Sequence, residues 1–135
     1  MGRSGRLRIV IADDHAEVRR QIGELLTAEF DVLRAVADGV ELIDAATELK
    51  PDAIVSDIQM PELDGIQAGG RLLRQGLCAA VVVLSMYRDA DLVETALQAG
   101  ILGYVLKLDA FEELIPAVYA AMRGERYLSA GVRHA

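Results

Sequence analysis

Residues 53–61 read Ala53-Ile54-Val55-Ser56-Asp57-Ile58-Gln59-Met60-Pro61. A short apolar run ends at an acid, and Pro61 and Gly65 punctuate the loop that follows. Runs of this length bounded by turn residues read as buried strands when neighbouring helices are available to cover them. The same shape recurs along the chain. Leu7 to Ala12 ends at Asp13 and Asp14, Ala79 to Leu84 ends at Ser85, and Ile101 to Leu106 ends at Lys107. Asp31 to Val36 is a further strand candidate.

Between these runs the apolar period lengthens. Val18, Ile22, Leu25 and Leu26 share one helical face, as do Leu42, Ile43, Ala46 and Leu49 before Pro51. Ile66 to Leu73 reads as a helix weakened by Gly69 and Gly70, at about 1 kcal/mol each relative to alanine. The stripe Leu92, Val93, Ala96, Leu97 and Ala99 stops at Gly100, which suits a left-handed cap. Asp109 and Glu112 have capping-box spacing for a last helix to about Arg123, and Pro116 predicts a kink or loosening inside it. Five strands alternating with five helices specify an α/β fold, a parallel sheet with helices on both faces. Ligands of such sheets bind beyond the carboxyl ends of the strands. Asp13, Asp57, Ser85 and Lys107 all fall there.

Composition narrows the function. The 135 residues suffice for one domain, and 53% hydrophobic content supports a core built from aliphatic side chains, since only 4% are aromatic. A net charge of −7 and the lack of an Arg/Lys stripe argue against direct nucleic-acid binding by this chain. The single cysteine, Cys78, permits no internal disulfide and reads as core filling in a cytoplasmic protein. No apolar run is long enough to form a membrane span, and the short basic start leads into no signal core.

The polar strand ends define a chemistry. Asp57 is the candidate nucleophile, since a carboxylate can attack phosphorus and form an acyl phosphate. Asp13 and Asp14 can hold a hard cation, Mg²⁺, beside it, Asp14 directly and Asp13 partly through water, with the Gln59 backbone carbonyl as a further ligand. Lys107 is a mobile point charge able to follow the phosphoryl group, and Ser85 offers a hydroxyl donor. Tyr104 lies three positions before Lys107, on the opposite face of the strand, and is no direct ligand. His15 is read as a first-turn helix residue with no catalytic part.

These residues bear a resemblance. The segments Asp13-Asp14-His15, Asp57-Ile58-Gln59-Met60-Pro61 with Asp64-Gly65, Val83-Leu84-Ser85 and Gly103-Tyr104-Val105-Leu106-Lys107 together resemble a bacterial two-component response-regulator receiver domain. The resemblance implies a flavodoxin-like (βα)5 three-layer sandwich with a five-stranded parallel sheet of order 2-1-3-4-5. It also implies phosphorylation of Asp57 by a sensor histidine kinase, Mg²⁺ at the acid pair, and phosphoryl contacts from Ser85 and Lys107. Ser85 and Tyr104 would act as the switch, moving the surface of the fourth helix, fifth strand and fifth helix that serves homodimers. The ending Gly124-Glu125-Arg126-Tyr127-Leu128-Ser129 is similar to the NarL/LuxR-type subfamily. On that reading residues 1–6 are a tail, 7–124 the receiver, and 125–135 the start of a linker to a helix-turn-helix domain. DNA binding and transcription regulation would belong to that missing domain.

Two other readings compete. A phosphorylation-independent dimerisation or binding module would have little need for the acid set. A small aspartyl-phosphate phosphohydrolase would want a second acid near Asp57, and Gln59 cannot serve. The expectation is therefore self-directed phosphotransfer and hydrolysis, with no turnover of a metabolite.

Overall fold

The computed structural model describes residues 5–133, so positions 1–4 of the expected tail and the last two positions of the expected linker lie outside the described residues. In chain order the elements are β1 (Arg8–Ala12), α1 (Ala16–Thr27), β2 (Asp31–Val36), α2 (Gly39–Leu49), β3 (Ala53–Asp57), α3 (Gly65–Arg74) and β4 (Ala80–Ser85). They continue with α4 (Ala90–Gln98), β5 (Gly103–Leu106), a 3₁₀ turn (Lys107–Asp109), α5 (Ala110–Met122), β6 (Tyr127–Leu128) and α6 (Ala130–Arg133).

All pairings are parallel, and the sheet order is β2-β1-β3-β4-β5-β6. The order expected for the first five strands is present. The strand count differs, because Tyr127–Leu128 adds a sixth strand beside β5. A two-residue strand carries no readable alternation. It is made by main-chain bonds, Tyr127 N–H to the Leu102 carbonyl at 2.8 Å and Ser129 N–H to the Tyr104 carbonyl at 3.1 Å.

Two apolar layers cover the sheet. Leu42, Ala46, Ile66, Leu72 and Ala96 of α2, α3 and α4 pack on one face with Val10, Ile54, Val81 and Tyr104. Ile22 and Leu26 of α1, and Leu114, Ala117, Val118 and Ala121 of α5, pack on the other with Ile9, Val55, Val82 and Val105. Strands β3, β4 and β5 are buried at every position, so each reads as a continuous apolar run with no alternation.

Three local expectations turn out differently. The capping box sits at Asp64 and Gln67, at the start of α3, and Asp109 makes no cap bond to α5. Its carboxylate is engaged by Ser129 and Gly131 instead. The glycines of α3 have a packing role that outweighs their propensity cost. A Cβ at Gly69 would sit 2.9 Å from Val81 Cγ1, and one at Gly70 would sit 3.1 Å from Ala99 Cβ, so both let α3 approach β4 and α4 closely. Helix α5 continues unbroken through Pro116, which lies on its exposed side. Gly100 does take the left-handed cap conformation, with φ of 91°.

Gly65 opens α3 directly against the end of β3, where a Cβ would run into the Asp57 carbonyl and lie 2.8 Å from Ser56 Oγ. Gly23, inside α1, has no atom near its missing Cβ. Urea unfolding is expected to show Gly65→Ala destabilised by about 2 kcal/mol through overpacking. Gly23→Ala should be stabilised by about 1 kcal/mol through helix propensity.

Candidate functional site

Register brings the site together. Ala12 pairs with Ser56, so the next residue on each chain, Asp13 and Asp57, emerges side by side at the carboxyl edge. Asp57 pairs with Leu84 and Ser85 with Leu106, which sets Ser85 and Lys107 on the other flank. Strand β1 lies between β2 and β3, the place where strand order reverses and a crevice opens. A cleft of about 140 Å³ lies there, lined by Asp14, His15, Asp57, Gln59, Ser85 and Lys107 among others.

Asp13 and Asp57 are 1% and 4% exposed, so two carboxylates are almost wholly withdrawn from water. One ammonium serves both: Lys107 Nζ stands 3.2 Å from Asp57 Oδ2 and 3.3 Å from Asp13 Oδ2. Burial pushes the Asp57 carboxyl above its ordinary range, Lys107 opposes that shift, and neighbouring Asp13 adds to it. The Gln59 amide hydrogen-bonds the Asp57 carboxylate. Asp13 Oδ1 accepts from the His15 amide at 2.9 Å. Asp13 Oδ2 is buried and makes no hydrogen bond. Arg19 donates to the Asp13 carbonyl at 2.7 Å, fixing the loop from behind.

Asp14 is on the open side. Its Oδ1 lies 3.1 Å from His15 Nδ1, and the same ring nitrogen lies 3.5 Å from Asp13 Oδ1. One ligand atom each from Asp13, Asp14, His15 and Asp57 falls within 4.8 Å of the others. This donor set fits a cation: three carboxylates converge, one lysine pairs with two of them, and the buried Asp13 Oδ2 has that ammonium at 3.3 Å but no hydrogen bond. Sequence reasoning gave His15 no part, yet its imidazole borders the acids. Its adjacency to the acid pair was the available signal.

Ser85 and Tyr104 meet at one carbonyl. Ser85 Oγ donates to the Tyr87 carbonyl at 3.2 Å and accepts from the Tyr87 amide at 3.0 Å. The Tyr104 hydroxyl donates to the same Tyr87 carbonyl at 3.0 Å. The Tyr104 ring is buried among the α3 and α4 side chains, inward rather than at the surface. Burial raises its phenol above the ordinary range, opposed by a hydrogen bond with Ser85. Cys78 is half-buried, and desolvation pushes its thiol up to about 11, consistent with inert packing. No helix among the described residues is long and apolar enough to cross a membrane.

Residues 9–119 match the response regulator receiver domain family. The chain is 35% identical over 124 residues to the transcriptional regulatory protein PdtaR of Mycobacterium tuberculosis, covering 91% of this chain and 60% of that protein. It is 35% identical over 128 residues to the transcriptional regulatory protein LiaR of Bacillus subtilis, covering 93% and 61%. It thus spans about 60% of the length of these curated relatives. Among solved structures, a LuxR-family two-component response regulator from Aurantimonas sp. SI85-9A1 superposes with a TM-score of 0.87 at 28% identity, covering 96% of this chain and 94% of that one. The isolated REC domain of RcsB from Salmonella enterica, determined with the phosphomimetic BeF3−, gives 0.85 at 26% identity, covering 96% and 98%. The chain belongs to the response-regulator receiver family, with relatives of the LuxR/NarL type.

Without a cation, two buried acids sharing one lysine hold unfavourable charge. Asp57→Asn is therefore expected to raise stability in EDTA at neutral pH by about 1 kcal/mol, read by urea unfolding. Mg²⁺ should raise the melting temperature of the native protein and leave an Asp14→Asn/Asp57→Asn variant unmoved.

Proposed function

We propose that this receiver domain accepts a phosphoryl group on Asp57 from the phosphohistidine of a sensor histidine kinase. The observation that carries the reading is Lys107 Nζ held between two buried carboxylates, 3.2 Å from Asp57 and 3.3 Å from Asp13. A lysine anchored by Asp13 alone would remain in place when its Asp57 partner is converted to an acyl phosphate. It could then reach an oxygen of the new phosphoryl group, as a mobile point charge should.

Asp57 supplies the attacking oxygen. A P–O bond forms as the P–N bond of the donor breaks, and the leaving imidazole takes its proton from solvent. The Gln59 amide, already bonded to the Asp57 carboxylate, orients the group for in-line attack. Asp14, Asp57 and the Gln59 carbonyl would hold Mg²⁺, with Asp13 contributing through water. When bound, Mg²⁺ supplies charge neutralisation among the carboxylate and phosphoryl oxygens. The convergence of ligand atoms from Asp13, Asp14 and Asp57 within 4.8 Å supports this placement. Hydrolysis of the acyl phosphate by water then returns the carboxylate, so the chemistry is self-directed.

Ser85 is the second phosphoryl contact. Recruiting its hydroxyl would cost its bond to the Tyr87 carbonyl, which is also the acceptor for Tyr104. The β4–α4 loop and the Tyr104 ring would therefore respond together, biasing the surface of α4, β5 and α5 toward a partner or a second copy. One structural relative is described as two RcsB dimers bound to two parallel DNAs, which supports homodimers and DNA contact as the wider output. In this reading residues 7–124 are the phosphoacceptor unit, and 125–135 begin the connection to a helix-turn-helix domain in a cytoplasmic transcription regulator.

Mass measurement after incubation with acetyl phosphate and Mg²⁺ tests the reading. One phosphoryl adduct is expected on the native protein, strongly reduced by EDTA and absent from Asp57→Asn. An undiminished adduct in Asp57→Asn would reject Asp57 as the acceptor.

A further inference from the structure

The turn that carries Lys107 is gripped from behind by the chain returning after α5. Ser129 is fully buried, and each of its polar atoms is engaged. Its amide donates to the Tyr104 carbonyl at 3.1 Å, and its carbonyl accepts from the Val132 and Arg133 amides at 2.9 and 3.0 Å. Its hydroxyl accepts from the Leu106 amide at 3.0 Å and donates to Asp109 Oδ2 at 2.8 Å. Leu106 precedes the three-residue 3₁₀ turn and Asp109 ends it, so one hydroxyl ties both sides of Lys107.

Neighbouring bonds seat this segment. Gly131 N–H donates to Asp109 Oδ2 at 2.9 Å, while Glu113 accepts from the Ala130 amide at 2.9 Å and the Tyr127 hydroxyl at 2.8 Å. A Cβ at Gly131 would collide with Leu106 Cδ1, so the approach is as close as glycine permits. The Gly131 amide and Ser129 hydroxyl hold the Asp109 carboxyl below its usual range, which keeps it an ionised, strong acceptor.

We infer that Ser129, with Asp109, is a positioning residue for Lys107: it fixes the 3₁₀ turn so that the ammonium is presented to a phosphoryl group on Asp57. The inference rests on the phosphoacceptor reading above. The 3₁₀ turn runs straight into α5, but its own hydrogen-bond geometry is poorer than that of an α-helix. A long lysine side chain reaches a fixed point only if its backbone is fixed. Clamping the turn lowers the order that must be gained when Lys107 engages its ligand. Reciprocity then requires that a phosphoryl group drawing on Lys107 strengthens the docking of residues 127–133 by the same factor. Through this contact the segment after α5 senses the state of Asp57.

The probe is beryllofluoride, a phosphoryl mimic, titrated at saturating Mg²⁺, with Mg²⁺ titrated alone as the second readout. Ser129→Ala and Asp109→Ala are expected to weaken beryllofluoride binding roughly tenfold while Mg²⁺ affinity stays within about twofold, because Lys107 is no cation ligand. Hydrogen exchange at the amides of residues 129–133 in the native protein should slow when beryllofluoride binds. Unchanged beryllofluoride affinity in both variants overturns the inference, as does a parallel fall in both affinities or exchange that does not respond. Native protein that binds Mg²⁺ but no beryllofluoride would instead reject the phosphoacceptor reading itself.

Discussion

The arrangement turns on two carboxylates kept out of water with a single ammonium between them. Asp13 and Asp57 are driven together by sheet register, since Ala12 and Ser56 are paired and the next residues have nowhere else to go. One ammonium stands against two carboxylates, 3.2 Å from Asp57 Oδ2 and 3.3 Å from Asp13 Oδ2, so one negative charge of the pair is left over. Such a cluster is costly in a low-dielectric setting and persists only because the rest of the fold is strong enough to carry it. The apolar layers on both faces of the sheet supply that strength. The uncompensated charge makes the site able to hold a cation, and on the proposed reading that cation would draw phosphoryl oxygens.

Much of this was legible in the chain. Four apolar runs ending in Asp13, Asp57, Ser85 and Lys107 announce a parallel sheet with its functional groups on one edge, because a parallel sheet puts every carboxyl end on the same side. What escaped reading was whatever depends on partners distant in sequence. The spacing of Asp109 and Glu112 satisfies a local rule, yet a hydroxyl 20 residues away competes for Asp109 and wins. Gly69 and Gly70 read as helix weaknesses because propensity is local, whereas the contacts that exclude a Cβ come from Val81 and Ala99. His15 differs, since Asp14 is its neighbour in the chain: its ring is 3.1 Å from that acid, and only the folded loop also sets it 3.5 Å from Asp13.

The sixth strand illustrates the same limit from the other side. Residues 127–128 have neither length nor alternation to mark a strand, and the composition after Gly124 gives no hint of burial. Their place is decided by the unpaired edge of β5, which offers the carbonyls of Leu102 and Tyr104 to any chain able to reach them. Helix α5 returns the chain to that edge. The Ser129 hydroxyl then takes the place of a ladder carbonyl, accepting from the Leu106 amide just where β5 gives way to the 3₁₀ turn.

Tyr104 consequently stands at a junction. Its hydroxyl shares the Tyr87 carbonyl with Ser85 on the phosphoryl side, while its own carbonyl holds Ser129 on the outgoing side. A side chain can rotate without moving the backbone it hangs from, so these two connections need not act as one. Ser85 and the Tyr104 hydroxyl meet at Tyr87, in the loop that leads into α4. Lys107, through Leu106 and Asp109, is tied to the segment that follows α5. On the proposed reading, one chemical event at Asp57 would be coupled to two separate surfaces by two sets of hydrogen bonds, and either could be tuned by substitution with the chemistry left intact.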